Sequence, residues 1–331
     1  MRRVVAFILV TMVVNGSLSF AASREAQWKE VEEAVKKGLP KTAIEKLEPI
    51  IQGALKDKAW GEATKAIARR IVLEGNIQGN KPEEKITRLE AEIAKAPKEI
   101  VPLLDTILAN WYWHYFQQNR WRFMRRTQSA QPPGKDFTTW DLPRLFTEID
   151  RQFQKALANT GTLKTTPVAT FDDLFQKGTL PDAYRPTLYD FIANEALKFY
   201  ASGEQAAAKP EDAFELSADA PIFDGAEKFM AWDLQRATGN LPAGASNPAD
   251  RQRYADGDSP ILKTLRLYQD LLKFHQNDRD PSAFIDADIA RLAYGYNVAF
   301  GEEKNARHKA ALKTLVDKWA DHELSAQALH H

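Results

Sequence analysis

Cysteine is missing from all 331 residues. Its absence excludes disulfides, thiolate metal sites, a cysteine nucleophile, a lipidated cysteine and an internal thioester within the chain. A fold without cross-links must be held together by its core, and this chain is long enough to build one. Histidine is scarce, six in all. No HExxH occurs and no second histidine follows four positions along a helix, so no metal ion and no cofactor is expected. There is no GxSxG, no glycine-rich phosphate loop and no dinucleotide fingerprint. Neither sign of charge dominates, with 45 basic against 45 acidic residues. That balance gives no electrostatic footprint for nucleic acid or an anionic membrane.

Long hydrophobic runs are missing too. The longest is Val4 to Val14, about half of the ~20 residues a membrane span needs. It follows Arg2 and Arg3 and precedes Ser19-Phe20-Ala21, a small-x-small cleavage site. This order predicts a signal peptide over residues 1–21, removed on export to a periplasmic or cell-surface location, with no stable membrane insertion. Cleavage after Ala21 leaves 43 basic and 45 acidic residues.

What the chain does have is an aromatic stretch, Leu108 to Arg126, holding three Trp, two Tyr, two Phe and four Arg. At helical spacing Leu104, Leu108, Trp111, Tyr112, Tyr115 and Phe116 share a stripe, with Trp113 on another face. Aromatics bury large areas, so the spacing predicts a central strut with neighbours on both sides. The alternative is a groove in which Trp and Arg meet a partner. Arg120, Arg122, Arg125 and Arg126 have no acid nearby in sequence. The structural reading pairs them with carboxylates such as Asp141, Asp150 or Asp190 and stacks them on Trp. We expect Arg120 and Arg185, each beside aromatics, to be buried and to tie helices together.

The rest reads as helices separated by short breaks. Stripes run through Trp28 to Val35, ended by Gly38-Leu39-Pro40, then through Ala43 to Ile51 and Ala59 to Ile71. Pro40 and Pro82 suit first helical turns and lie about 42 residues apart. That period predicts an all-α fold, a degenerate tetratricopeptide-like array of helical hairpins (an α-solenoid). Expected blocks are 22–126, a less regular middle over 127–240, a linker over 241–258 and a second helical block over 259–331. In the middle, helices are expected from Pro143 and Pro186, a short one over Phe171 to Phe175, an exposed loop from Ala201, and an extended connector from Phe214 to Phe223 with Asp224 as the next cap. Ser259-Pro260 and Asp280-Pro281 open later helices, and a last one runs from near Glu302 to His330-His331 without a C-cap, which suggests a longer parent chain.

Reactive constellations are sparse. His275 with Asp278 and Asp280 is a hard-metal or acid–base candidate, set against plain capping of a helix C-terminus. Carboxylate pairs such as Asp172-Asp173 and Asp286/Asp288 suit solvated helix faces, although a glycosidase also needs two carboxyls across a cleft.

Several strings carry a family resemblance, among them Gly38-Leu-Pro-Lys-Thr-Ala43. Trp111-Tyr-Trp-His-Tyr-Phe-Gln-Gln-Asn-Arg-Trp-Arg-Phe123, followed by Thr127-Gln128 and Thr139-Trp140-Asp-Leu142, resembles the N-terminal helical region of large bacterial alpha-2-macroglobulin-like proteins. Tyr184-Arg185-Pro-Thr-Leu-Tyr189-Asp190-Phe191 and Leu267 to His275 are similar to the same region. The resemblance implies a non-catalytic adaptor in a protease-trapping, endopeptidase-inhibiting protein of the cell envelope. Its partners would be the macroglobulin β-domains of its own parent chain or another envelope protein, with proteases engaged indirectly. The strings nominate Trp111, Trp113, Tyr115, Arg120, Trp121, Arg122, Trp140, Arg185, Tyr189 and Asp190 as a structural or interaction hub. The rival expectation is a periplasmic all-helical glycan-binding or glycan-processing protein whose aromatics line a sugar cleft.

Overall fold

A computed structural model of the chain describes residues 15–77, 79, 81–125, 134, 136–175, 178–207, 214–234 and 259–329. Most of the expected signal peptide, the linker over 241–258, Arg126, Thr127-Gln128 and His330-His331 lie outside the described residues. Among those described, the protein is all-helical, and its only extended pairings are two isolated bridges, Pro167–Thr187 and Ser217–Phe300. Among the described residues no helix is long and apolar enough to cross a membrane.

The chain divides into two compact units, 1–100 (with 173–175) and 101–331 (without them). The first holds α1 (Asn15–Lys36), α2 (Pro40–Lys56), α3 (Trp60–Ile77) and α4 (Pro82–Ile93). Each packs against the next along the chain. Val31, Ala43, Leu47, Ile50, Ala63, Ala66, Ile67 and Leu89 make a wholly buried seam. Gly38 ends α1 at φ +69, and the Leu39 N–H donates to the Ala34 carbonyl at 2.9 Å, a turn that favours glycine. Lys58 takes the same left-handed place after α2, at φ +57. Ion pairs tie successive helices. Arg24 reaches Asp57 and Glu62, and Arg70 joins Glu48 (3.0 Å) to Glu92 (2.7 Å).

The second unit begins with α5 (Val101–Gln118) and the short α6 (Arg120–Met124). Then come α7 (Leu142–Leu157), α8 (Thr160–Thr165), α9 (Leu188–Tyr200) and α10 (Ala226–Met230). It ends with α11 (Pro260–His275), α12 (Ser282–Val298), α13 (Lys304–Lys318) and α14 (Glu323–Ala328). The boundary between units falls before the aromatic helix, not after Arg126 as the sequence suggests. The reason is packing: α5 lies against α7 and α9, so its aromatics join the core of the later chain.

That core is a continuous run of rings. Tyr112 and Tyr115 each meet Phe137 edge-on at 5.2 Å, and Phe116 meets Phe146 at 4.8 Å. Phe199 links on to Phe146 at 5.8 Å and Phe153 at 5.9 Å. Edge-to-face packing of this kind adds about 0.5–1.5 kcal/mol per pair beyond burial. Leu142, Leu145, Ile149 and Ala156 complete the buried stripe of α7, capped by Asp141, which accepts from the Arg144 N–H at 3.0 Å.

Several local expectations are corrected. Pro186 precedes a helix that starts at Leu188. Thr187 and Asp190 form its capping box, which supplies partners for the first N–H groups where proline supplies none. Residues 168–171 form a 3-10 turn in place of a helix over Phe171 to Phe175. The loop from Ala201 contains a 3-10 turn over Glu204–Ala207. Gly225, not Asp224, caps α10, because the Asp224 carboxylate is held by Arg307 at 2.8 Å and Lys228 at 2.8 Å. The connector is bridged to Phe300 at Ser217 and becomes a 3-10 turn over Pro221–Phe223. The last expected helix is two, broken before His322, whose imidazole caps α14.

Candidate functional site

The ten nominated residues fall into two neighbourhoods. The first surrounds α5 and α6. Tyr115 is buried against Phe123 and Phe137. Trp140 is buried, stacks on Tyr112 at 6.0 Å, donates its indole N–H to the Gly134 carbonyl at 2.7 Å and carries the Arg144 guanidinium over its ring at 4.7 Å. Trp113 is half-buried, edge-on to Phe199, with its indole N–H on Glu204. Trp111 is also only half-buried, the one member of its stripe that is not covered.

Arg120 and Trp121 depart from expectation. The Arg120 side chain is 55% exposed, with its nearest carboxylate, Glu204, at 3.8 Å. Trp121 is 81% exposed. The chain turns at Asn119, so the rotation that buries Phe123 sends both outward. Arg122 is exposed and donates to the Thr138 carbonyl at 3.2 Å. Arg120→Lys is therefore expected to leave stability within about 0.5 kcal/mol in a thermal melt, as for surface substitutions generally. A larger loss would mean that the guanidinium is buried after all.

The second neighbourhood lies where α9, α11 and α12 meet. Arg185 is half-buried and donates to Asp286 at 3.3 Å, and Tyr189 is buried against Phe274. Burial pushes the Asp286 carboxyl up, opposed by Arg185. Asp190 has both oxygens occupied. One accepts from the Thr187 backbone (2.9 Å) and hydroxyl (2.8 Å), and the other meets His275 Nε2 at 2.7 Å. The opposite nitrogen of His275 meets Asp278 at 2.6 Å, and the side chain is 2% exposed. The sequence paired His275 with Asp278 and Asp280. Asp278 does bind it, but Asp280 turns to the Ser282 hydroxyl at 2.6 Å, and the second acid comes from α9. No group of residues fit to hold a metal ion occurs among the described residues.

This cluster can hold a proton on an imidazole that is itself shielded from solvent. Burial alone would push the imidazole down; the hydrogen bonds and charges of Asp190 and Asp278 outweigh it and hold it above its ordinary value. A histidine raised on folding stabilises the fold fully below its unfolded pKa of about 6.5, and the contribution is lost as pH rises through the folded value. Wild-type stability should therefore fall as pH rises above about 6.5, measured by denaturant midpoint against pH. The slope there should flatten in His275→Gln. An unchanged slope in that variant would place the proton elsewhere.

Ser282 and His322 come within 3.1 Å, which invites a nucleophile reading. The hydrogen bonds argue against it. His322 Nδ1 accepts from the Leu324 N–H at 3.2 Å, so in the neutral ring the proton sits on Nε2 and points at the serine. Ser282 in turn donates to Asp280. An imidazole in that tautomer cannot take the hydroxyl proton. Beside these groups Ala183, Pro186, Asp278, Arg279, Asp280 and Ala283 line a shallow depression of about 250 Å³.

Other buried polar groups gave no motif to read. Asp105 and Glu148 are buried on α5 and α7, and Arg291 is buried on α12. Their only sequence signal is a polar residue inside an apolar stripe. No protein-family model matches the chain, and no curated protein or solved structure matches it.

Proposed function

We propose that the protein is an exported, non-catalytic helical scaffold that works through protein–protein contact. Its first four helices act as a degenerate tetratricopeptide-like array, in the manner of the N-terminal adaptor region of an alpha-2-macroglobulin-like protease-trapping protein. The observation that carries the scaffold reading is the use made of His275. Its Nε2 ties α9 to the end of α11 through Asp190, and its Nδ1 holds Asp278 in the turn that follows, with the imidazole itself shielded from solvent, which is a structural role. The export reading rests on Arg2, Arg3, the apolar run and Ser19-Phe20-Ala21, and a cysteine-free core suits a fold that needs no oxidation in the envelope.

Two measurements test the two parts separately. Expressed in a bacterium, the chain is expected outside the cytoplasm with Ala22 as its first residue by N-terminal sequencing; a cytoplasmic chain still beginning at Met1 overturns export. Purified, it is expected to bind macroglobulin-like β-domain segments in a defined stoichiometry by calorimetry. Absence of binding at ~1 mM, where association is weaker than about −4 kcal/mol, overturns the adaptor role.

A further inference from the structure

The short helix α6 is fixed by one side chain and presents the others. Phe123 is buried against the rings of Tyr115 and Phe116, at 5.9 and 6.0 Å. With Phe123 defining the inward direction, a rotation of about 100° per residue puts Trp121 and Arg125 on the opposite side, with Arg122 and Met124 on the flanks. The exposures follow that wheel: Trp121 is 81% and Met124 51% exposed, and both arginines are exposed. Among the described residues no carboxylate pairs with Arg122 or Arg125. The outward arc is thus one indole and one thioether set among guanidiniums that have no carboxylate partner among the described residues.

We propose that this turn is a reversible contact with an anionic phospholipid surface. Trp121 and Met124 enter the headgroup layer, and Arg122 and Arg125 meet the phosphates. Tryptophan carries an apolar body with one N–H donor and concentrates at that depth of a bilayer. Arginine stems lie along apolar surface while their heads reach water or phosphate. The whole-chain charge balance predicts no such attraction; the local run supplies it, because charges beyond a Debye length of about 8–10 Å count little. A protein partner fits this arc less well. Trp, Met and Arg are also common at protein interfaces, but a standard one buries about 1,600 Å², and this arc belongs to a single turn of five residues, Arg120–Met124. With no membrane-crossing helix among the described residues, the contact is peripheral.

The test is co-sedimentation of the purified full chain with vesicles of phosphatidylglycerol and phosphatidylcholine, against pure phosphatidylcholine vesicles. Any contribution of the apolar run Val4 to Val14 would be common to both kinds and to every variant, so the reading is the excess on the anionic vesicles. Arg122→Glu/Arg125→Glu should reduce that excess by more than about tenfold, since each basic charge near such a surface is worth about fivefold. Trp121→Ala should reduce it by about tenfold, and added salt should erase it. The equally charged control Arg279→Glu/Lys309→Glu, at two exposed positions elsewhere in the unit, should change it by less than about twofold. Brominated lipids should quench wild-type tryptophan fluorescence more than that of Trp121→Phe, a conservative variant that keeps the ring. Equal binding to both vesicle types, equal binding by Trp121→Ala, equal quenching in Trp121→Phe, or an equal loss in the control each overturns the proposal.

Discussion

Replacing Arg291 with alanine is expected to remove about 3–5 kcal/mol of stability, the loss typical when one partner of a buried ion pair is deleted. The side chain is 1% exposed. Its guanidinium meets Asp288 at 2.6 and 2.8 Å, donates to the Ile222 carbonyl at 2.5 Å and the Asp224 carbonyl at 3.0 Å, and lies over the Phe229 ring at 4.8 Å. Alanine would strand a buried carboxylate and two backbone acceptors at once. It would also release the 3-10 turn over Pro221–Phe223 from α12. One turn along, Gly295 has no room for a Cβ, which would fall 2.5 Å from Ile222 Cγ1, so the turn lies directly on the helix. The measurement is the urea midpoint of the purified protein. A double variant, Arg291→Met/Asp288→Leu, should recover part of the loss, because it no longer strands the carboxylate, while the Ile222 and Asp224 carbonyls still lack their donor. A single-variant loss below about 1 kcal/mol would show that the guanidinium is not the tie between these elements.

Asp105→Asn should act in the opposite direction and raise stability at pH 7 by about 2 kcal/mol. Asp105 is 3% exposed on α5, and its Oδ1 has no hydrogen-bond partner. Burial pushes its carboxyl up to about 6, against the pull of Lys155 and Arg151 from α7. Taken whole, a shift from 3.8 to about 6 corresponds to about 3 kcal/mol; the amide that replaces the carboxyl is itself buried and short of partners, which reduces the gain. A carboxyl raised on folding makes the fold most stable when protonated. Its penalty is absent below pH ~4, grows as pH rises to about 6 and is constant above that. The gain in Asp105→Asn should therefore vanish at pH ~4 and be complete by pH 7. A gain independent of pH, or a loss at pH 7, would mean that the carboxylate is stabilised as an anion.

The capping box at Thr187 and Asp190 was present in the sequence as T-x-x-D, but Pro186 drew the helix start two residues early. Arg291 likewise shares a face with Asp288 and Gly295 at helical spacing, although no motif distinguishes it from a surface arginine. Arg120 shows the converse. Its aromatic neighbours suggested burial, and one turn of backbone at Asn119 placed it in solvent.

Local chemistry alone determined the helices that open at Pro40, Pro82 and Ser259-Pro260, and the apolar stripes through α2, α7 and α11. Those signals need only neighbours within a turn or two, so they are written in the order of the residues. The tertiary structure alone decided which unit the aromatic helix joins, which acid completes the bridge at His275, and which arginine is buried. Asp190 lies 85 residues from His275. Their meeting depends on α9 packing against α11, and no periodicity within either helix encodes its partner. A charged side chain is buried only where its whole set of acceptors arrives together, and for Arg291 that set comes from α12 and from a turn nearly seventy residues away.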